Sequence, residues 1–228
     1  MKFIFFLNFT WKMTIHNLDK ANSVLNHFIA EIRDREIQKD AMRFRRNIER
    51  IGEILSYELS QELGFKDYNV QTPLGEKKTQ LVSDQLVLCS VLRAGLPLHH
   101  GILNYFDQIE NAFISAYRLH SSDEEFEIKV EYLATPSLDG KVLILADPML
   151  ATGSSLAAVY EVLKKMGDMK QVHLVAVIAA EKGIDFVSQH FPENTHLWVA
   201  TVDQELNSKG YIVPGLGDAG DLAFGSKL

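Results

Sequence analysis

The sequence predicts an α/β fold, an open and mainly parallel sheet flanked by helices, and three observations carry that prediction. Apolar runs at 86–91, 111–117, 142–147, 172–180 and 197–202 are nearly continuous rather than alternating, as in strands covered on both faces. Stretches with apolar residues at steps of three and four, the helical period, lie between several of them. Finally, 228 residues with 46% hydrophobic and 23% charged suffice for one substantial core and exclude a disordered chain. A single domain over 1–228 is expected, since no repeat, low-complexity tract or hinge interrupts it.

Taken in order, the opening MKFIFFLNFTW has a lysine before an apolar run, a faint targeting signal. Asn8 breaks the run, no small-residue cleavage pattern follows, and it falls short of the roughly 20 apolar residues that cross a bilayer. Residues 1–14 therefore read as an extension or a terminal strand. A helix is predicted over 22–35, with Val24, Leu25, Phe28, Ile29 and Ile32 inward. A longer one covers 40–64, with Phe44, Ile48, Ile51, Leu55, Leu59 and Leu63 on one stripe. Its Arg43, Arg45, Arg46 and Arg50 are interleaved with Glu49 and Glu53, the pattern of a solvated or intersubunit face rather than a nucleic-acid contact.

After a turn-rich QTPLGEKK, strand 86–91 leads into a helix over 96–105 and then strand 111–117. Residues 119–141 begin polar and then alternate through Phe126, Ile128, Val130 and Tyr132, a hairpin or flap projecting from the sheet and suited to covering a site. Strand 142–147 precedes a helix through Leu156, Val159, Leu163 and Met166. Strand 172–180 precedes a helix to about residue 190, and 197–202 is the last core strand. The tail carries Gly210, Gly215, Gly217, Gly220 and Gly225, read as forbidding a regular helix and forming a close-fitting loop. In such a fold the ligand crevice lies beyond the carboxyl ends of the strands.

Charge narrows the function classes. Lys and Arg number 23 against 30 Asp and Glu, a net of −7, so no broad field attracts nucleic acid or an anionic membrane. An anionic ligand must be held locally. Cys89 is the single cysteine, which precludes an intrachain disulfide, and its setting in LVLCSV reads as a small buried hydrophobe.

The most informative segment is VLILADPMLATGSSL. A buried strand delivers Asp147 to its carboxyl end, and Thr152, Gly153, Ser154 and Ser155 precede an amphipathic helix. Backbone amides at a helix start, hydroxyls and little bulk suit a terminal phosphate. Helix capping by Ser154 or Ser155 explains the TGSS string equally well. The segment lacks a Walker A lysine, and no GxGxxG follows the first strand. Asp147 reads either as a ligand for sugar hydroxyls or a divalent cation, or as an organiser of its loop. His99 and His100 are adjacent, without metal-ligand spacing, and read as structural or surface residues.

Three strings, VLRAGLPLHHGIL (91–103), LADPMLATGSSL (145–156) and GYIVPGLGDAGDLAFGSK (210–227), resemble the signature regions of uracil phosphoribosyltransferases, of the type I phosphoribosyltransferase fold. MRFRRNIERIGEILSYEL, AYR at 116–118 and VDQELNSKG resemble the same family in order and spacing. The resemblance implies transfer of the 5-phosphoribosyl group of phosphoribosyl pyrophosphate to N1 of uracil, giving UMP and pyrophosphate. It implies that Asp147 meets ribose hydroxyls and that Ala151, Thr152, Gly153, Ser154 and Ser155 hold the 5-phosphate. Arg93 and Arg118 match basic residues that address pyrophosphate, where a guanidinium offers a rigid donor fork. Uracil is implied at 203–228, read by backbone groups at Ile212, Gly217 and Ala219 with Asp218 alongside. Mg²⁺ is the implied cofactor, bound mainly through substrate with no direct protein ligand assigned. A cytoplasmic homodimer or higher homo-oligomer follows from the same resemblance, with no nucleic-acid or membrane partner.

The alternatives are a regulatory RNA-binding protein on this scaffold, a transferase for another nucleobase, and a weakened member of the family. Three positions depart from the family pattern: Ser90 where proline is common, Ser154 where glycine is usual, and Leu222 where a basic residue usually follows GDAGD. Ser154 is tolerable only if its φ is negative.

Overall fold

The computed structural model describes residues 13–120 and 126–227, with side chains described outside 116–130. Residues 1–12, and most of the segment read as an extension, lie outside the described residues. The chain opens on β1 (Thr14–Asn17) and a short 3-10 turn, Leu18–Lys20. Helix α1 (Leu25–Arg33) is followed by a second 3-10 turn and by α2 (Ala41–Ser60). Asp40 starts α2, its carboxylate accepting from the amides of Met42 and Arg43 at 3.1 Å each, which satisfies donors that a helix start leaves open.

Next come β2 (Phe65–Thr72), β3 (Gly75–Val82), β4 (Leu86–Leu92), α3 (Gly95–Leu103), β5 (Glu110–His120) and β6 (Phe126–Ala134). The second half runs β7 (Val142–Ala146), β8 (Met149–Leu150), α4 (Ser154–Leu163), β9 (Gln171–Ala180), α5 (Glu181–His190) and β10 (His196–Asp203). It closes with β11 (Glu205–Leu206), β12 (Ile212–Val213) and α6 (Ala219–Phe224).

The main sheet has the order β1-β10-β9-β7-β4-β5-β6, with β8 added to β9. Every pair in it is parallel except β5 with β6, so the fold is the mainly parallel α/β sheet that the apolar runs predict. Strand residues alternate between two cores. Leu86, Leu88, Ile144, Val175 and Val177 face α1, α2, α3 and α6, while Val87, Cys89, Leu143, Leu145 and Leu174 face α4 and α5. With both faces covered, neither is left for polar residues, which is why these strands do not alternate in sequence. Each fully buried Leu, Ile or Val adds about 1.5–3 kcal/mol relative to exposure.

Two elements correct the sequence reading. Residues 65–82 form an antiparallel hairpin, β2 with β3, standing apart from the main sheet; only Pro73 and Leu74 make the turn. Nearly every residue of the hairpin is exposed, so no apolar face marks it in sequence. The glycine-rich tail also holds a helix, α6, despite Gly220 within it. Asp218 caps that helix by accepting from the Asp221 amide at 2.9 Å, and Gly225, at φ +84°, ends it. Residues 110–134 pair as β5 and β6 at the sheet edge, while 121–125, between them, lie outside the described residues.

Candidate active site

Parallel topology brings the carboxyl ends of β4, β7, β9 and β10 to one edge, and the predicted site residues follow these ends. Strand β7 ends at Ala146, which pairs with Ser90 of β4 and Val175 of β9, so Asp147 leaves the sheet at its centre. Its Oδ1 accepts from the Met149 amide at 3.2 Å, a local bond that bends the chain towards α4. A cleft opens here, lined by Asp147, Ala151, Thr152, Gly153 and Ser155.

Gly153 makes this turn possible. Its φ is +80°, and a Cβ there would stand 2.9 Å from the Gly183 carbonyl oxygen. Ser154 begins the helix with negative φ, as its replacement of glycine requires. No side chain caps α4, and Ser154 Oγ lies 2.8 Å from Thr152 Oγ1 instead. The capping explanation of TGSS is therefore not realised. Thr152, Gly153 and Ser155 line the cleft at the start of α4, where the first-turn amides and the positive end of a helix dipole suit an anion.

Arg93 follows β4 directly, and Leu92–Arg93 is a cis peptide. Its Nη2 donates to Asp221 Oδ1 and to the Gly225 carbonyl, both at 3.2 Å, joining this loop to the C-terminal segment. Its Nε is buried without a hydrogen-bond partner among the described residues, while the side chain as a whole stays 37% exposed. Arg118 lies on β5, three residues past the Ser115 that pairs with Leu92, towards the same edge; its side chain lies outside the described residues.

The glycine loop approaches from the other side. Ile212 and Ala219 are buried against the core, whereas Gly217 and Asp218 are exposed. Gly215 has φ +62°, and a side chain there would run into the Ile212 carbonyl. Leu222, where a basic residue is usual, packs half-buried against the core. Arg45 of α2 donates to the Ala223 carbonyl at 2.6 Å and lies 5.9 Å from the Phe224 ring. This corrects the reading of Arg45 as part of a solvated or intersubunit face.

Behind the site, Ser90 is buried with its Oγ 2.8 Å from His99 Nδ1, so a polar pair occupies the place where proline is common. Burial pushes the His99 imidazole down to about 4. Burial likewise drives the Cys89 thiol up to about 12, leaving it inert as an ionised nucleophile.

Sequence reasoning missed Arg33 and Asp203, which grip Gly215 from the ends of α1 and β10. A carboxylate ending the buried run LWVATVD is the same signal that marks Asp147; nothing local marks Arg33, whose partner lies 170 residues away.

Among the described residues, no three His, Cys, Asp or Glu side chains come together as a metal site. Asp147 is the carboxylate lining the cleft. This donor set fits Mg²⁺, which keeps waters and binds through one or two carboxylates plus substrate oxygens.

Residues 20–226 match the family model described as uracil phosphoribosyltransferase. A uracil phosphoribosyltransferase of Porphyromonas gingivalis is 49% identical over 216 residues, covering 95% of this chain and 100% of the relative. One from Pyrococcus furiosus is 39% identical over 203 residues, covering 88% and 85%. A solved protein structure from Aquifex aeolicus superposes with TM-score 0.82 at 29% identity, over 94% of this chain and all of that one.

Proposed function

The chain belongs to the uracil phosphoribosyltransferase family, and from that premise we propose that it transfers the 5-phosphoribosyl group of phosphoribosyl pyrophosphate to uracil N1. The observation that carries this reading is the direct contact of two loops: Arg93 donates to Asp221 and Gly225 of the glycine-rich segment. A leaving group held by Arg93 and a base held by that segment are thereby neighbours, as in-line displacement at one ribose carbon requires.

In this reading the 5-phosphate rests on the amides and hydroxyls of Ala151 to Ser155, and Asp147 accepts from ribose hydroxyls. Arg93 and Arg118 draw the negative charge that grows on pyrophosphate as the C1–O bond breaks and the bond from C1 to uracil N1 forms, the N1 proton passing to water or to the departing pyrophosphate. Mg²⁺ supplies further charge neutralisation on the phosphate oxygens when bound. No protein nucleophile takes part. Backbone groups at Ile212, Gly217 and Ala219 read the uracil carbonyls and N3–H, and Asp218 orients the ribose or a bridging water. A wrong polar edge leaves fixed donors unpaired, so cytosine is rejected.

Among the described residues no helix is long and apolar enough to cross a membrane. We assign the enzyme to the cytoplasm because its phosphoribosyl donor is too highly charged to pass a bilayer unaided. A homodimer or larger homo-oligomer is supported by the β2–β3 hairpin, whose Phe65, Tyr68, Leu74 and Leu81 are exposed. An isolated two-stranded hairpin is marginal in water.

The test is to incubate the purified protein with phosphoribosyl pyrophosphate, Mg²⁺ and uracil, cytosine, hypoxanthine or xanthine in turn. UMP and pyrophosphate form with uracil alone. Absence of UMP defeats the reading, and a nucleotide from hypoxanthine or xanthine moves the enzyme to the purine branch.

A further inference from the structure

We propose that Arg33 and Asp203 are positioning residues that hold the base loop in register and thereby set the affinity for uracil. The inference rests on the assignment of uracil to residues 203–228. Arg33, the last residue of α1, meets Asp203, the last residue of β10, through two parallel bonds of 2.8 Å. The pair then grips one residue of the loop from both sides. Gly215 donates its amide to Asp203 Oδ2 at 2.9 Å, and Arg33 Nη1 donates to the Gly215 carbonyl at 3.1 Å.

The grip is itself anchored. Arg33 Nη2 reaches Thr201 Oγ1 at 3.4 Å, and Thr201 donates to Asp19 Oδ2 at 2.6 Å. Asp203 is only 8% exposed and Arg33 20%, so both charges are largely withdrawn from water. Two planar groups sharing parallel bonds allow little play, which a single flexible ammonium would not ensure.

Gly215 lies three residues after Ile212 and two before Gly217, inside the set of backbone groups assigned to the uracil edge. At φ +62° it folds back against the Ile212 carbonyl. Moving Gly215 therefore moves the donors and acceptors that read the base, and prior fixing of such groups lowers the cost of ordering them on binding. A buried ion pair contributes little net stability compared with apolar residues of like volume. Its geometric effect on the loop is therefore separable from its effect on folding.

That separation supplies the experiment. The double variant Arg33→Met with Asp203→Leu removes both charges together and leaves neither buried alone. It is expected to lower Tm by several degrees, since the buried Gly215 amide loses its acceptor, to raise KM for uracil about tenfold, and to leave KM for phosphoribosyl pyrophosphate within about twofold. Amide exchange across 211–217 should accelerate while that of 147–156 stays unchanged. The milder Arg33→Lys keeps the charge opposite Asp203 and loses the planar fork; an intermediate rise in KM for uracil is expected, and it serves if the double variant does not fold. Equal rises in both KM values, or a Tm change with both KM values and the exchange unaltered, overturn the inference. If the wild type forms no UMP, the uracil reading itself fails. The grip on the loop is then judged on exchange alone, and unchanged exchange at 211–217 removes it.

Discussion

Residues 147–155 and the glycine-rich C-terminal segment, proposed to hold phosphate and base, meet at the same sheet edge but are held by different side-chain contacts. Residues 147–155 lie on β9 through β8 and the Pro148 carbonyl, and their side-chain bonds are local: Asp147 accepts from Met149, Thr152 meets Ser154, and Gly153 turns the chain directly into α4. The C-terminal segment is held chiefly by side chains from elsewhere, by Arg33 together with its own Asp203 at Gly215, by Arg45 at Ala223 and by Arg93 at Asp221 and Gly225. Three of those four side chains come from elements more than a hundred residues earlier. A strand end joined to a helix start presents its amides to an anion wherever it occurs. A loop that reads a flat base edge through backbone groups has no such generic solution, and the rest of the fold must place it.

Substitutions test this contrast. The largest effect is expected from Asp147→Ala, which should lower kcat by on the order of 10²–10³ while moving Tm by no more than about 2–4 °C. A fall in Tm with kcat preserved would make Asp147 an organiser of its loop and nothing more. Next come the two glycines with positive φ. Gly153→Ala should raise KM for phosphoribosyl pyrophosphate about tenfold, and Gly215→Ala should do the same for uracil, each change forcing a left-handed alanine into contact with a carbonyl oxygen. Titrations of each variant with each substrate check the assignment, and a crossed result would merge the two loops into one unit.

Acid acts on the scaffold that both loops share. His173, buried in β9, is held down to about 3, first by burial and then by the charges of His196 and His16. Trp198 Nε1 donates to its Nδ1 at 3.0 Å, which requires that nitrogen to stay unprotonated. With His99 at about 4, both rings stay neutral in the folded state well below the pH where the unfolded chain protonates them. Their contribution is therefore intact above about pH 6.5 and is lost as pH falls towards 4 and 3. The slope approaches about 1.4 kcal/mol per pH unit for each ring. Urea unfolding between pH 8 and 5 measures this, and His173→Phe should flatten the curve. The ratio of the two KM values should stay constant over the range in which the protein remains folded.

The smallest effects separate two neighbours on α2. Arg45→Ala should raise KM for uracil severalfold, because it loosens α6. Arg43 meets Glu31 at 3.4 Å and Asp40 at 4.0 Å on a half-exposed face, so Arg43→Ala should cost less than about 0.5 kcal/mol and change neither KM. Thermal melts and substrate titrations on both variants distinguish them.

Legibility follows the same divide. Sheet strands, flanking helices and the Asp147-to-Ser155 turn are visible in sequence because burial on two faces and a strand-to-helix junction each leave a mark within a few residues. The β2–β3 hairpin left none, since neither of its faces packs on the core of its own chain. Helix α6 was obscured by its glycines, and the cap from Asp218 is what sustains it. Arg45 looked like one charge among several on a polar face until α6 was placed beside it.

Fold class, family and the positions of the three signature loops are legible in the linear chain, because these depend on local periodicity, turn chemistry and contiguous motifs. Packing in three dimensions is what closes Arg33 and Asp203 on Gly215, brings Arg93 to the C-terminal segment and pairs Ser90 with His99. Those contacts depend on which strand ends the sheet order brings together. No residue carries that order in its immediate neighbours; it arises when the two cores pack and bring distant polar groups to one edge.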